Sequence, residues 1–100
     1  MNFSEKTALV TGSGSGIGRS IAMLLAKSGA NVVINDVSQK DANATAQEIQ
    51  FLGRKSLSVA ASVSDRDEVQ AMFAQIQSQF GGIDILVNNA GITRDGFLMK

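Results

Sequence analysis

The chain has no cysteine, no histidine, no tyrosine, no tryptophan and no proline. Without cysteine or histidine it can form no disulfide, no thiol nucleophile, none of the usual zinc ligand sets and no Ser-His or Cys-His pair. The missing disulfides fit a reducing compartment. Net charge is absent too, since nine Lys plus Arg stand against nine Asp plus Glu. A neutral chain carries no electrostatic footprint for nucleic acid or for an anionic membrane surface, so neither is an expected partner. No apolar run approaches membrane-spanning length, and the opening "MNFSEKTALV" has an acidic residue and too short an apolar stretch for a signal peptide. A cytoplasmic location is the expectation.

What is present fits one small domain of 100 residues. "TALVT" at 7–11 is a short β-branched and apolar run that stops at glycine, as a buried strand does. Ile17, Ile21, Leu24 and Leu25 then follow at helical spacing, and "KSGAN" closes that helix with a basic residue and Gly29. "NVVIND" at 31–36 reads as a second buried strand. Ser38 is placed to cap a second helix with Ala42, Ala46, Ile49 and Leu52 on its apolar face and Gly53 beyond its end. "KSLSVAAS" at 55–62 is a weaker third strand. Ser64 with Asp67 resembles a capping box before a third helix, whose face carries Val69, Met72, Phe73, Ile76 and Phe80. "GGIDILVNNAG" at 81–91 supplies a glycine break, a fourth apolar strand and a polar ending.

The order βαβαβαβ, with short loops and apolar strands, predicts an α/β fold: a Rossmann-like parallel sheet covered by helices, with right-handed crossovers. Ligands of such sheets bind beyond the carboxyl ends of the strands, where the loop "TGSGSGIG" at 11–18 lies. A helix N-terminus there offers free N–H groups and a partial positive charge, which suit a phosphate. The spacing is not Gly-x-Gly-x-x-Gly; it is Thr11-Gly12-x-x-x-Gly16-Ile17-Gly18, with Gly14 as an additional glycine. A nucleoside triphosphate loop is disfavoured, because Ser13 stands where its first glycine belongs and Arg19 where its lysine belongs. A turn whose glycines merely let a strand and helix pack closely remains an alternative.

Two further signals lie at other strand ends. Asp36, eighteen residues after Gly18, can accept two hydrogen bonds from an adenosine ribose while its charge repels a 2′-phosphate, which favours NAD over NADP. It can equally form a turn before Val37 and Ser38. In "NNAG" at 88–91, two amides followed by Ala90 and Gly91 can bond a ligand and let a flat group approach, or form a plain turn.

Together, "TGSGSGIG", Asp36 and "NNAG" resemble the short-chain dehydrogenase/reductase family, in order and spacing along the whole chain. The opening "MNFSEKTALVTG" and the ending "NNAGITRDGFLMK" are similar to its 3-oxoacyl-[acyl-carrier-protein] reductase branch, of fatty acid biosynthesis, which shares much with acetoacetyl-CoA reductases and sugar or steroid dehydrogenases. The resemblance implies strand order 3-2-1-4 and places Gly12, Ser13, Gly14, Ser15, Gly16, Ile17 and Gly18 around the cofactor pyrophosphate. It sets Asp36 on the adenosine ribose, Ser62 and Val63 beside the adenine, and Asn89, Ala90 and Gly91 along the nicotinamide-side ribose, with Asn88 more structural. Ser15 stands where NADP-using reductases of the branch often carry a basic residue, and Val37 adds no basic group, so both agree with Asp36. Ser62 is shorter than the Asp or Asn common at its position.

Family members run to well over twice this length and reduce a carbonyl with a later serine, a tyrosine acid, a lysine four residues after it and an asparagine. A chain without tyrosine lacks that proton donor, so the resemblance implies that residues 1–100 are the dinucleotide-binding half of a doubly wound domain, incomplete by itself and without catalytic residues of its own. The implied parent is an oligomeric NAD-dependent oxidoreductase that reduces a 3-oxoacyl thioester to a 3-hydroxyacyl thioester. In that fold the fourth strand is internal, so here it is expected to present an apolar edge that aggregates, self-pairs or binds the missing half. The rival reading is a nucleotide-binding or assembly module without catalysis.

Overall fold

The computed structural model describes residues 2–90. Strands β1 (Thr7–Val10), β2 (Asn31–Asp36), β3 (Ser56–Ala60) and β4 (Ile85–Val87) alternate with helices α1 (Gly16–Lys27), α2 (Gln39–Phe51) and α3 (Arg66–Phe80). The strands form one parallel sheet in the order β3-β2-β1-β4, as expected. Every connection therefore crosses over through a helix, and the carboxyl ends of all four strands share one edge. The Gly81 and Gly82 break precedes β4, whose other edge carries no strand among the described residues and leaves Leu86 58% exposed.

Alternation along the strands divides the core between two faces. Ala8, Val10, Val32 and Ile34 point toward α1 and α2, where Ala22, Ala26, Ala42, Ala46 and Ile49 meet them. Leu9 and Val33 point the other way and pack on Met72 and Ile76 of α3. The buried stripe of α1 is Gly18, Ala22 and Ala26, not the bulky positions its periodicity suggests. Ile21 and Leu25 only flank this face, while Ile17 and Leu24 are 68% and 66% exposed. Small residues at i, i+4 and i+8 let the helix axis approach the sheet, and at 100° per residue Leu24 falls on the opposite side. Arg19 bridges α1 to Glu48 of α2 at the surface, its Nε donating over 2.9 Å.

Two helix starts follow the sequence with one shift. The Ser38 hydroxyl accepts the Asp41 amide over 3.1 Å, as its position predicts. At α3 the cap is Asp65, whose carboxylate accepts the Glu68 amide over 3.1 Å, rather than Ser64. Glu68 in turn accepts the Ser62 amide over 2.8 Å. Half of the reciprocal pairing expected of Ser64 and Asp67 thus exists one residue later, between Asp65 and Glu68, while the Glu68 carboxylate reaches past the cap to Ser62. Among the described residues no helix is long and apolar enough to cross a membrane.

Candidate dinucleotide site

The loop between β1 and α1 is fastened from its inside. Ser13 is fully buried, with its amide donating to the Asn35 carbonyl over 2.8 Å and its hydroxyl to the Val10 carbonyl over 2.6 Å. The same hydroxyl accepts the Asn35 amide over 3.1 Å, so Ser13 ties the loop to β2 instead of facing outward. Gly14 follows with both halves of its backbone engaged. Its N–H donates to Asp36 Oδ2 over 2.9 Å, and its carbonyl accepts from the Thr45 hydroxyl over 3.2 Å.

Gly14 and Gly18 are glycines for want of space. A Cβ on Gly14 would lie 2.8 Å from both Asp36 Oδ2 and Asp41 Cβ, so the glycine that looks additional in the sequence is sterically required. A Cβ on Gly18 would lie 2.1 Å from the Gly12 carbonyl oxygen and 2.6 Å from Asn89 Nδ2. Gly12 and Gly16 instead take left-handed conformations, with φ of 63° and 61°.

Beyond Gly14 the chain turns outward. Ser15, Gly16 and Ile17 are exposed, and Ser15, although it occupies the N-cap position, makes no side-chain capping bond. The first-turn amides of α1 therefore have no side-chain acceptor, whereas α2 and α3 are capped by Ser38 and Asp65. No acidic residue stands in that first turn either. The opening of α1 therefore offers N–H groups and a partial positive charge of the kind that suits an anion, and nothing stands within 4 Å of where a Cβ on Gly16 would lie.

The end of β4 closes the loop's other flank. Thr11 donates its hydroxyl to Asn88 Oδ1 over 3.2 Å and accepts the Ala90 amide over 3.1 Å. Asn89 is buried, and its Nδ2 donates to the Gly12 carbonyl over 3.1 Å. Asn89 thus braces the loop backbone and Asn88 the Thr11 hydroxyl, so the bracing expected of Asn88 extends to Asn89. Asp36 ends β2 in register with Ala60 of β3, and its second oxygen accepts the Ser38 amide over 3.1 Å. Beside it Val37 is 75% exposed. Ser62 and Val63 follow β3 one strand farther out, both half-buried, with the Ser62 hydroxyl 2.8 Å from that of Ser64. Gly91 lies outside the described residues.

The structure therefore brings Gly12, Gly14, Gly18, Asp36 and Asn89 into one cluster and sets Ser62 and Val63 at its rim. Thr11, which opens the glycine motif, and Thr45, which nothing in the sequence marks, belong to the same cluster through their hydroxyls. A hydroxyl that serves a loop across the fold leaves no local pattern.

With this geometry in place, comparison with known proteins is informative. A family model described as short chain dehydrogenase matches residues 6–100. A 3-oxoacyl-[acyl-carrier-protein] reductase FabG of Staphylococcus aureus is 53% identical over 96 residues, covering 95% of this chain and 39% of its own. The chain thus spans about two fifths of the length of the curated relatives it matches. Among solved structures, L-sorbose reductase from Gluconobacter frateurii, complexed with NADPH and L-sorbose, superposes with a TM-score of 0.87 at 41% identity, over 91% of this chain and 35% of that one. A 7 alpha-hydroxysteroid dehydrogenase complexed with NADH gives 0.84 at 37% identity, over 87% and 34%.

Proposed function

The chain belongs to the short-chain dehydrogenase family, and from that premise we propose that residues 1–100 form the cofactor-binding half of an NAD(H)-dependent reductase of 3-oxoacyl thioesters. The observation that carries the reading is the uncapped, glycine-walled start of α1 beside the Asp36 carboxylate. The amides of Gly16, Ile17 and Gly18 would hold a pyrophosphate there, with Ser15 at its edge. Asp36 would accept the adenosine ribose hydroxyls, since each of its oxygens now accepts one backbone N–H and keeps a lone pair for another donor. Ser62 and Val63 would border the adenine. Asn89, Ala90 and Gly91 would line the nicotinamide-side ribose.

A bound nicotinamide supplies the hydride that turns a 3-keto group into a 3-hydroxy group. This chain's part is to bind and orient, because no residue of the cluster is a proton donor suited to a carbonyl. The choice of substrate is supported by the similarity to the FabG relatives. Cofactor choice rests on Asp36 and on the uncharged Ser15 and Val37, since relatives of the same fold are complexed with NADPH in one case and NADH in another.

Titration with NADH and NADPH, repeated after Asp36→Ala, tests the reading. The expected result is tighter binding of NADH, with the NADH:NADPH ratio collapsing in the variant because the charge that repels the 2′-phosphate is gone. A preference for NADPH in the unaltered chain would overturn the role given to Asp36.

A further inference from the structure

Asp36 meets the glycine loop as well as the space in front of it. Its Oδ2 accepts the Gly14 amide over 2.9 Å, and on the opposite side of the same residue the buried Thr45 hydroxyl donates to the Gly14 carbonyl over 3.2 Å. Ser13, one residue earlier, is fixed to Asn35 by its backbone and hydroxyl. The middle of the loop is therefore fastened to β2 and α2 as well as, through the Ser13 hydroxyl on the Val10 carbonyl, to the strand it leaves. From Gly14 two residues lead to Gly16, where the left-handed turn sets the direction of the first helical amides.

We infer that Asp36 is a positioning residue for the phosphate cradle in addition to its ribose-facing role, so that losing it weakens the hold on a ligand that has phosphates but no adenosine ribose. This rests on the dinucleotide reading above. The sign of the effect separates it from simple electrostatics. Asp36 is a negative charge beside an anion site, so its neutralisation should by Coulomb's law tighten anion binding. A strut makes the opposite demand. A hydrogen bond to a charged acceptor is among the stronger kind, and its loss lets the Gly14 peptide reorient and misdirect the amides beyond it.

The probe is inorganic pyrophosphate, followed through the amide resonances of Gly16, Ile17 and Gly18 in the whole chain, with hydrogen exchange of the Gly14 amide as a second reading. Asp36→Ala is expected to weaken pyrophosphate binding by about tenfold and to speed Gly14 exchange. Asp36→Asn, which returns an uncharged acceptor to the Gly14 amide, is expected to recover most of both. Thr45→Val removes the donor to the carbonyl of the same residue and leaves the carboxylate in place, so it should weaken pyrophosphate in the same direction while leaving the NADH:NADPH ratio unchanged.

Unchanged or tighter pyrophosphate binding in Asp36→Ala, with unchanged Gly14 exchange, overturns the inference and leaves the ribose role standing. If the unaltered chain binds neither NADH nor pyrophosphate, the dinucleotide reading fails, and the Gly14 exchange rate alone still decides whether Asp36 is a strut.

Discussion

Gly18→Ala sets two well-understood effects against each other. Gly18 lies in the first turn of α1, and alanine in a helix is favoured over glycine by about 1 kcal/mol, so propensity alone forecasts a more stable protein. The surroundings forecast the reverse. The new Cβ would stand 2.1 Å from the Gly12 carbonyl oxygen, about 1.3 Å inside the 3.4 Å at which ordinary contact begins. It would also stand 2.6 Å from Asn89 Nδ2, the group that donates to that same carbonyl. Neither neighbour is the free end of a flexible chain. Gly12 is already in a left-handed conformation, and Asn89 is buried.

Relief requires the loop to lift from α1, which breaks the Asn89 bond, worth about 1 kcal/mol, and adds overpacking strain of about 1–3 kcal/mol. After the propensity gain, a net loss of about 1–3 kcal/mol is expected from urea denaturation. NADH affinity should fall with it, because the lifted loop no longer presents its amides. Gly16→Ala serves as the comparison: nothing lies within 4 Å of its Cβ, so only its left-handed φ of 61° is strained, at about 1–2 kcal/mol. A Gly18→Ala variant as stable as the unaltered chain, or more so, would refute the steric account of this glycine.

Two other outcomes follow from side-chain hydrogen bonds elsewhere in the loop and at α3. Ser13→Ala removes a fully buried hydroxyl and strands the Asn35 amide and the Val10 carbonyl, so a loss of about 1–3 kcal/mol in denaturation is expected. Asp65→Ala should cost about 1 kcal/mol by removing the cap of α3, while Ser64→Ala should change stability by less than about 0.5 kcal/mol, and equal losses would return the cap to Ser64.

The elements and their order are legible in the sequence because hydrophobic periodicity is a local signal, and β1 and β2 are apolar on both faces. Faces are less legible. Ile17 and Leu24 look like the core of α1 because they are large, yet the core is Gly18, Ala22 and Ala26, whose value lies in how little space they fill. The α3 cap slipped by one because Ser64 and Asp65 are both good caps, and the choice is made by which neighbour Glu68 can reach, here the Ser62 amide. The outline of the site is carried by a compact motif. Its internal bonds are not, since they join residues far apart in the chain, 31 positions for Thr45 and Gly14 and 77 for Asn89 and Gly12.

Those long-range bonds also determine where the site can change. Three strand ends hold the loop before any ligand arrives: Thr11 after β1, Asn35 and Asp36 of β2, and Asn88 and Asn89 after β4. Such preorganisation offsets the entropy that the clustered glycines lose, and it spares a ligand from ordering the loop itself. It also makes most loop positions costly to alter, Asp36 included, because a change in charge there is a change in the strut as well. Ser15 differs. It is exposed, its backbone is extended with φ of −159° and ψ of 172°, and its side chain makes no capping bond. A longer or charged side chain fits at position 15 without touching a bond that shapes the loop. Adaptation toward a cofactor with an additional phosphate is therefore structurally cheaper through a basic residue at position 15 than through loss of the carboxylate at 36.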